Sequence, residues 1–313
     1  KEKPFMAMIS SPSCQDPFTP EEKYKDTLAN LTAPRSANFN VAAKEFEKHW
    51  LMTMSPHKLS DSTVDLIDEF YHRRLETLLT IDDMVEDIVD QLELNDLLDS
   101  TYIIFTSDNG YHLGSFAMPW DKRLPYETDI KVPLIIRGPN IQSSGVANFP
   151  VLLIDLAPTI LSWANISYNL SDFDGKAFAD LIQTEKFNSN EIIERQMLIE
   201  HFGEGNIDTW SPECPWRKSQ RLFGCRLENE CKAQDSWNNT YSCVRHIASD
   251  INFIFCKFED REEFYEAYDL TTDIFQLSNI AFDILPSIQA RYQIIIENLK
   301  ECKGDSCRVV KTV

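Results

Sequence analysis

The run Tyr102-Ile103-Ile104-Phe105-Thr106 is apolar and rich in β-forming residues, and Asp108-Asn109-Gly110 follows it after a single serine. A short apolar run without alternation suits a strand covered on both faces, as in a parallel-type sheet. Asn-Gly is a turn signal, so Asp108 and Asn109 are expected just past the carboxyl end of that strand. Open α/β sheets bind their ligands there. A carboxylate beside an amide oxygen is a hard-oxygen pair suited to Ca²⁺ or Mg²⁺. Lys122, a little further on, could bring a compact positive charge to an anion. Taken by itself, Asp-Asn-Gly is also the commonplace sequence of a hairpin turn.

The longer stretch separates these readings. Ser107-Asp108-Asn109-Gly110-Tyr111-His112, then Asp121-Lys122-Arg123, Tyr126-Glu127, Asp129-Ile130-Lys131-Val132-Pro133 and Arg137-Gly138-Pro139, resembles the sulfatase family. The likeness runs from Lys3 to about Arg308 and is strongest toward members that act on 6-O-sulfated N-acetylglucosamine. It implies an α/β, alkaline-phosphatase-like fold with a partial mixed sheet and flanking helices. It also implies a Ca²⁺ site in which Asp108 and Asn109 match the two later metal ligands, and a catalytic and substrate-binding Lys122 that contacts a sulfate oxygen. In this family the nucleophile is a formylglycine made from the Cys of a Cys-x-Pro-Ser-Arg signature. That signature and the early Asp-Asp pair do not occur in these 313 residues. The chain is therefore expected to be the carboxyl-terminal part of a sulfatase, acting with an amino-terminal segment of the same precursor.

One departure from the family pattern stands out. Aligning Lys3-Pro4-Phe5 through Pro17-Phe18 with the family puts Gln15 where a sulfate-facing histidine belongs, and Cys14 where proline does. Histidine can protonate a leaving oxygen. A glutamine amide can hydrogen-bond sulfate but cannot titrate.

The formal charge of −20 opposes nucleic acid or an anionic membrane as partner. It sits awkwardly with a sulfated polysaccharide too, although an acidic compartment would neutralise part of the carboxylate excess. No apolar run approaches the roughly 18 residues of a membrane span. Seven of the eight cysteines fall between 214 and 307, and Asn-x-Ser/Thr sequons stand at Asn30, Asn165, Asn169 and Asn238. Without any Cys-x₂-Cys spacing for zinc, this pattern indicates disulfides, glycosylation and the secretory pathway, with a lysosomal or secreted destination. Cys302 and Cys307 flank a turn-forming Lys-Gly-Asp-Ser and are expected to pair locally. With seven cysteines in that region, one is free, pairs with Cys14, or bonds another segment.

Along the chain, KPFMAMIS (3–10) reads as a buried strand. A helix capped near Ser60 is followed by a second one over about 75–98, whose Asp82, Asp83, Glu86, Asp87 and Asp90 read as a solvated face. A further helix begins near residue 151, where Asp-x-x-Pro-Thr-x-Leu has an architectural role in the family. Strands at 196–200, 242–248, 252–257 and 264–268 and a helix at 286–300 suggest an antiparallel sheet packed by a helix. The expected division is 1–210 as the carboxyl-terminal part of the catalytic domain and 211–313 as a disulfide-rich α+β subdomain. His112, three residues past Asn109, is a candidate catalytic group beside Lys122 and Gln15. His201 and Glu204, in a glycine-flanked loop after a strand, are candidate sugar contacts.

Two other classes compete with a sulfatase acting on glycosaminoglycans. A sulfatase-like glycoprotein impaired by Gln15 would bind a glycan or protein partner without turnover, and a homodimer is among the expected assemblies. A related metal phosphatase or phosphodiesterase would call for an Asp-His zinc cluster.

Overall fold

The computed structural model describes residues 3–183, 187–190, 192–206, 208–259 and 263–310. Its helices are α1 (Trp50–Thr53), α2 (Asp61–Leu94), α3 (Glu127–Ile130), α4 (Leu156–Trp163) and α5 (Pro286–Glu301). Its strands are β1 (Ile103–Thr106), β2 (His112–Leu113), β3 (Trp120–Asp121), β4 (Leu134–Arg137) and β5 (Arg195–His201), then β6 (Leu222–Phe223), β7 (Asp235–Ser236), β8 (Tyr241–Ile247), β9 (Asn252–Phe258) and β10 (Tyr265–Asp269). The chain divides into two compact units, residues 1–34 with 60–101, and residues 35–59 with 102–313.

In the first unit, Ser60 caps α2 by accepting from the Thr63 amide. The two helices expected here are one helix of 34 residues. Nothing between Tyr71 and Leu75 can break it: His72, Arg73 and Arg74 include no Pro or Gly, and Arg73 pairs with Glu69 one turn back at 2.6 Å. The preceding segment is tied to this helix through polar groups. Glu76 accepts from the Leu28 amide at 3.0 Å, and Asp68 from the Ala33 amide at 2.9 Å. Asp82, Glu86, Asp87 and Asp90 face water, while Asp83 is engaged by Tyr24 at 2.6 Å and by Lys23. Residues 3–10, expected as a buried strand, form no strand, and Phe5, Met6, Met8 and Ile9 are exposed. A strand needs a ladder of backbone partners, and none of the described residues offers one there.

The second unit is built on a four-stranded antiparallel sheet in the order β10-β9-β8-β5. The expected strands and closing helix are all present, and β5, upstream of residue 211, is an edge strand of this same sheet. Six of the seven residues of β8 are buried, because the sheet is covered on both faces. Tyr292, Ile295 and Ile296 of α5 cover one face over Val244, Phe255 and Ala267. Phe116, Met118, Leu124 and Tyr126 cover the other, over Cys243, Ile254 and Tyr268. Each large apolar side chain buried this way contributes about 1.5–3 kcal/mol. The second of these layers belongs to the segment between β2 and α3, so the core itself anchors the residues around Lys122.

Strand β1 pairs antiparallel with β4, Ile103 opposite Arg137 and Thr106 opposite Leu134, and the parallel pairing expected for it is not found among the described residues. The stretch 101–139 thus leaves along β1, forms the β2–β3 hairpin and α3, and returns along β4. Leu134 and Ile136 pack on Phe149, Phe178 and Ile182, while Phe105 and Ile135 are exposed at 39% and 63%. An apolar run shows that a strand can be buried on both faces but not which direction its neighbour takes. Three disulfides join Cys214 to Cys231, Cys243 to Cys256 across β8 and β9, and Cys302 to Cys307. Cys14 and the buried Cys225 are free thiols, so the odd cysteine of the last third is Cys225. Burial pushes its thiol up to about 11. Among the described residues, no helix is long and apolar enough to cross a membrane.

Candidate active site

β1 ends at Thr106, and Asp108 and Asn109 follow at once. The Asp108 carboxylate is exposed and accepts from the Asn109 amide at 2.9 Å, while the Asn109 side-chain amide donates to the Gly110 carbonyl at 2.8 Å. Gly110 is required by crowding rather than by an unusual dihedral angle. A Cβ there would lie 2.1 Å from the Thr128 carbonyl oxygen, because the Gly110 and Tyr111 amides donate to Asp129 and Thr128, each at 2.8 Å. The turn is therefore clamped onto α3. One carboxylate oxygen and one amide carbonyl fit a hard cation in kind but supply two of the roughly six to eight ligands Ca²⁺ takes. Among the described residues no group of three or more His, Cys, Asp or Glu side chains could hold a metal.

His112 opens β2 and is 1% exposed. Its Nδ1 lies 2.9 Å from Asp129 Oδ2, and its buried Nε2 has no hydrogen-bond partner among the described residues. Asp129 also accepts from the Leu124 amide at 2.9 Å and from the Thr128 hydroxyl at 3.0 Å. Burial works against the imidazolium, but the carboxylates of Asp129 and Asp121 outweigh it and hold His112 above its ordinary pKa. The imidazole thus faces inward and fastens the hairpin to α3.

Lys122 is half-buried and follows β3 directly. Its neighbour Arg123 organises the surroundings. The guanidinium binds both Asp121 carboxylate oxygens at 2.6 and 2.7 Å and reaches Glu204 at 2.9 Å. It lies 3.7 Å from Asp235, with its charge 5.5 Å from the Phe223 ring centroid. Burial pushes the Asp121 carboxyl up despite the opposing pull of His112 and Arg123. Asp235, fully buried, accepts from the Glu204 amide at 2.8 Å and sits 3.1 Å from His201 Nε2. His201 and Glu204 are thereby brought together with Arg123, the residue that follows Lys122 in the chain.

Gln15 belongs to the first unit. It is exposed in a turn whose Gln15 amide donates to Pro12 at 3.1 Å. The sequence reading missed Arg123, Asp129 and Asp235. A signal for Arg123 was available in its alternation with Asp121 and Lys122, since adjacent opposite charges in a largely apolar segment must find partners. Asp129 and Asp235 act through backbone amides that no spacing rule reveals.

The sulfatase family model matches residues 1–166. N-acetylglucosamine-6-sulfatase of Bos taurus is 40% identical over 98% of this chain, and that of Homo sapiens 38% over the same share. The chain spans about half the length of these relatives, 53% and 54% respectively. A protein solved in complex with its substrate D-glucosamine-2-N,6-O-disulfate shares the fold with a TM-score of 0.58 at 22% identity, over 78% of this chain and 43% of that one. The backbone and the carried motifs agree, and the chain belongs to the sulfatase family.

Proposed function

We propose that the chain forms the carboxyl-terminal part of a sulfatase that hydrolyses 6-O-sulfate esters of N-acetylglucosamine in glycosaminoglycans. The observation that carries this reading is the fold-back stretch 101–139. It presents Asp108 and Asn109 at the end of β1 and Lys122 at the end of β3, beside an arginine–carboxylate cluster. The names of the bovine and human relatives support the substrate class.

In this reading Asp108 and Asn109 would supply two of the ligands of a Ca²⁺ ion, the others and the formylglycine being expected on the amino-terminal segment. When bound, the cation would hold the nucleophile and offset charge on the sulfate. The Lys122 ammonium neutralises a sulfate oxygen and then the bridging oxygen as the ester bond breaks. Arg123, fixed by Asp121 and Glu204, cannot follow the reaction and instead orients the sugar. Glu204, its side chain 44% exposed, accepts from sugar hydroxyls, and His201 is held in place for the same task by Asp235. His112 is too deeply buried to touch the substrate and serves as a positioning residue for β2 and β3. The protein is a lysosomal or secreted glycoprotein, with glycans on the exposed Asn30, Asn165 and Asn169 and on Asn238.

Asp108→Ala and Asn109→Ala in the full-length protein test the metal assignment. Each is expected to lower bound calcium, measured by elemental analysis, and sulfate release from N-acetylglucosamine-6-sulfate. The loss should be at least the roughly 10–100-fold that outer-shell changes produce. Full calcium and full activity in both variants would remove these residues from the site. The second reading, a glycan-binding protein without turnover, is favoured by Gln15 alone. It requires saturable binding of the sulfated sugar with no sulfate released.

A further inference from the structure

The turn that carries Asp108 and Asn109 owes its position to a helix too short to hold one by itself. α3 has four residues, and a helix of that length is unstable on its own in water. The Tyr126 carbonyl accepts from the Asp129 and Ile130 amides, and the Glu127 carbonyl from the Lys131 amide. The next two carbonyls, of Thr128 and Asp129, fall at the end where a helix leaves its acceptors unused. Tyr111 and Gly110 supply the donors there, so the turn is capped on α3 and moves with it.

Three side chains set where α3 stands. The Tyr126 hydroxyl donates to the buried Glu266 at 2.8 Å, and Asp129 holds the His112 ring and the Leu124 amide. Glu127 is the third. Its carboxylate accepts from Arg245 Nε at 3.0 Å and lies 3.9 Å from the exposed Lys131, while its amide donates to Gln276 Oε1 at 2.9 Å. Arg245 is a rigid post. Buried on β8, it also donates to the His246 and Phe253 carbonyls at 3.3 and 3.2 Å and to Asn252 Oδ1. Two residues away, the Cys243–Cys256 disulfide fastens β8 to β9. The chemistry assigned above uses neither Glu127 nor Arg245. We propose that these two are positioning residues for the calcium ligands, holding Asp108 and Asn109 in register through α3. Affinity for the cation is thereby tied to the β8–β9 hairpin. The inference rests on the metal assignment made above.

Calcium affinity by calorimetry on the full-length protein, together with amide hydrogen exchange of a peptide spanning residues 105–113, tests it. Glu127→Ala should weaken calcium binding about tenfold, the lower end of outer-shell effects, because it acts one step further out. In the calcium-free variant that peptide should exchange faster, while a peptide from α5 keeps its wild-type rate. Glu127→Gln, which loses the charge but keeps an acceptor for Arg245, should bind calcium within about threefold of the wild type. Arg245→Ala should match Glu127→Ala, and the double variant should be no weaker than either, since residues acting through one contact are not additive. If Glu127→Ala does not fold, Glu127→Asp, whose carboxylate falls short of Arg245, takes its place with the same expectation. Unchanged calcium affinity in the variant that folds overturns the inference. So does an equal loss in Glu127→Gln, which marks a charge effect, and so does exchange that accelerates across the whole protein. Wild-type calcium binding that Asp108→Ala abolishes and Glu127→Ala leaves intact overturns the inference but keeps the metal assignment. A wild type that binds no calcium overturns that assignment and the inference with it.

Discussion

By the family resemblance Gln15 stands where sulfatases carry a titratable ring, and we propose that the consequence depends on the leaving group. If the glutamine faces the sulfate, the site keeps a hydrogen-bond donor and lacks a proton donor. General acid catalysis contributes about 10²–10⁴-fold, so Gln15→His should raise turnover of a 6-sulfated glucosamine within that range. An aryl sulfate, whose leaving group needs little protonation, should barely respond. Equal gains on both substrates would place Gln15 away from the leaving oxygen. His112 makes a separate prediction about stability. Its folded pKa is raised, so the pair with Asp129 stabilises the fold fully below the unfolded value of about 6.5 and loses that contribution as pH rises through the folded value. Asp129→Asn should flatten the fall in melting temperature on the alkaline side of pH 6.5. It should also destabilise the acidic form by about 3–5 kcal/mol, because a buried charge loses its partner. An unaltered pH profile would contradict the pairing. The turn that carries Asp108 and Asn109 just past β1 was legible from the motif and its turn chemistry. Asp129 was not, because its role rests on accepting the Leu124 amide and the His112 ring, contacts made only after the hairpin folds.

Elements were read well where pattern length was sufficient. The four strands of the carboxyl-terminal sheet and α5 fall within a residue or two of their expected positions, since alternating turn signals and β-branched or aromatic runs bound each one. Helix α2 was divided because its polar middle, His72-Arg73-Arg74, interrupts the apolar stripe without interrupting the helix. β1 has an antiparallel partner, β4, where its apolar run suggests a parallel-type sheet, because apolar content says nothing about pairing direction. The Asp-x-x-Pro-Thr-x-Leu motif is architectural, as read. Asp155 is fully buried, accepts from the Leu152 and Lys176 amides at 2.7 Å each, and binds Arg195 of β5 at 2.7 Å. It therefore ties the start of α4 to the edge strand of the sheet. Asp155→Ala should destabilise the second unit by about 3–5 kcal/mol in urea titration, through an uncompensated arginine and two orphaned amides. A loss under about 1 kcal/mol would show that water replaces the carboxylate.

The second unit reads as a covered sheet from which one fold-back stretch projects its polar groups. Lys48 shows how closely the covering layer is held: it is buried among the rings of Phe116, Tyr126 and Tyr268 and faces Glu266 at 3.8 Å. Burial lowers its pKa to about 8. The fold therefore gains stability from this group as pH rises through about 8 toward the unfolded value near 10.5. Lys48→Met should remove that gain in a stability–pH series, and a gain that persists in the variant would contradict the assignment. Sulfate release from N-acetylglucosamine-6-sulfate by the full-length protein, compared between wild type and Lys122→Ala, tests the central claim most directly. The account predicts turnover by the wild type and a kcat reduced by roughly 10²–10³-fold in the variant, the usual loss when one donor to developing negative charge is removed. Saturable binding of the sugar by the wild type with no sulfate released, or equal turnover by both proteins, would contradict it.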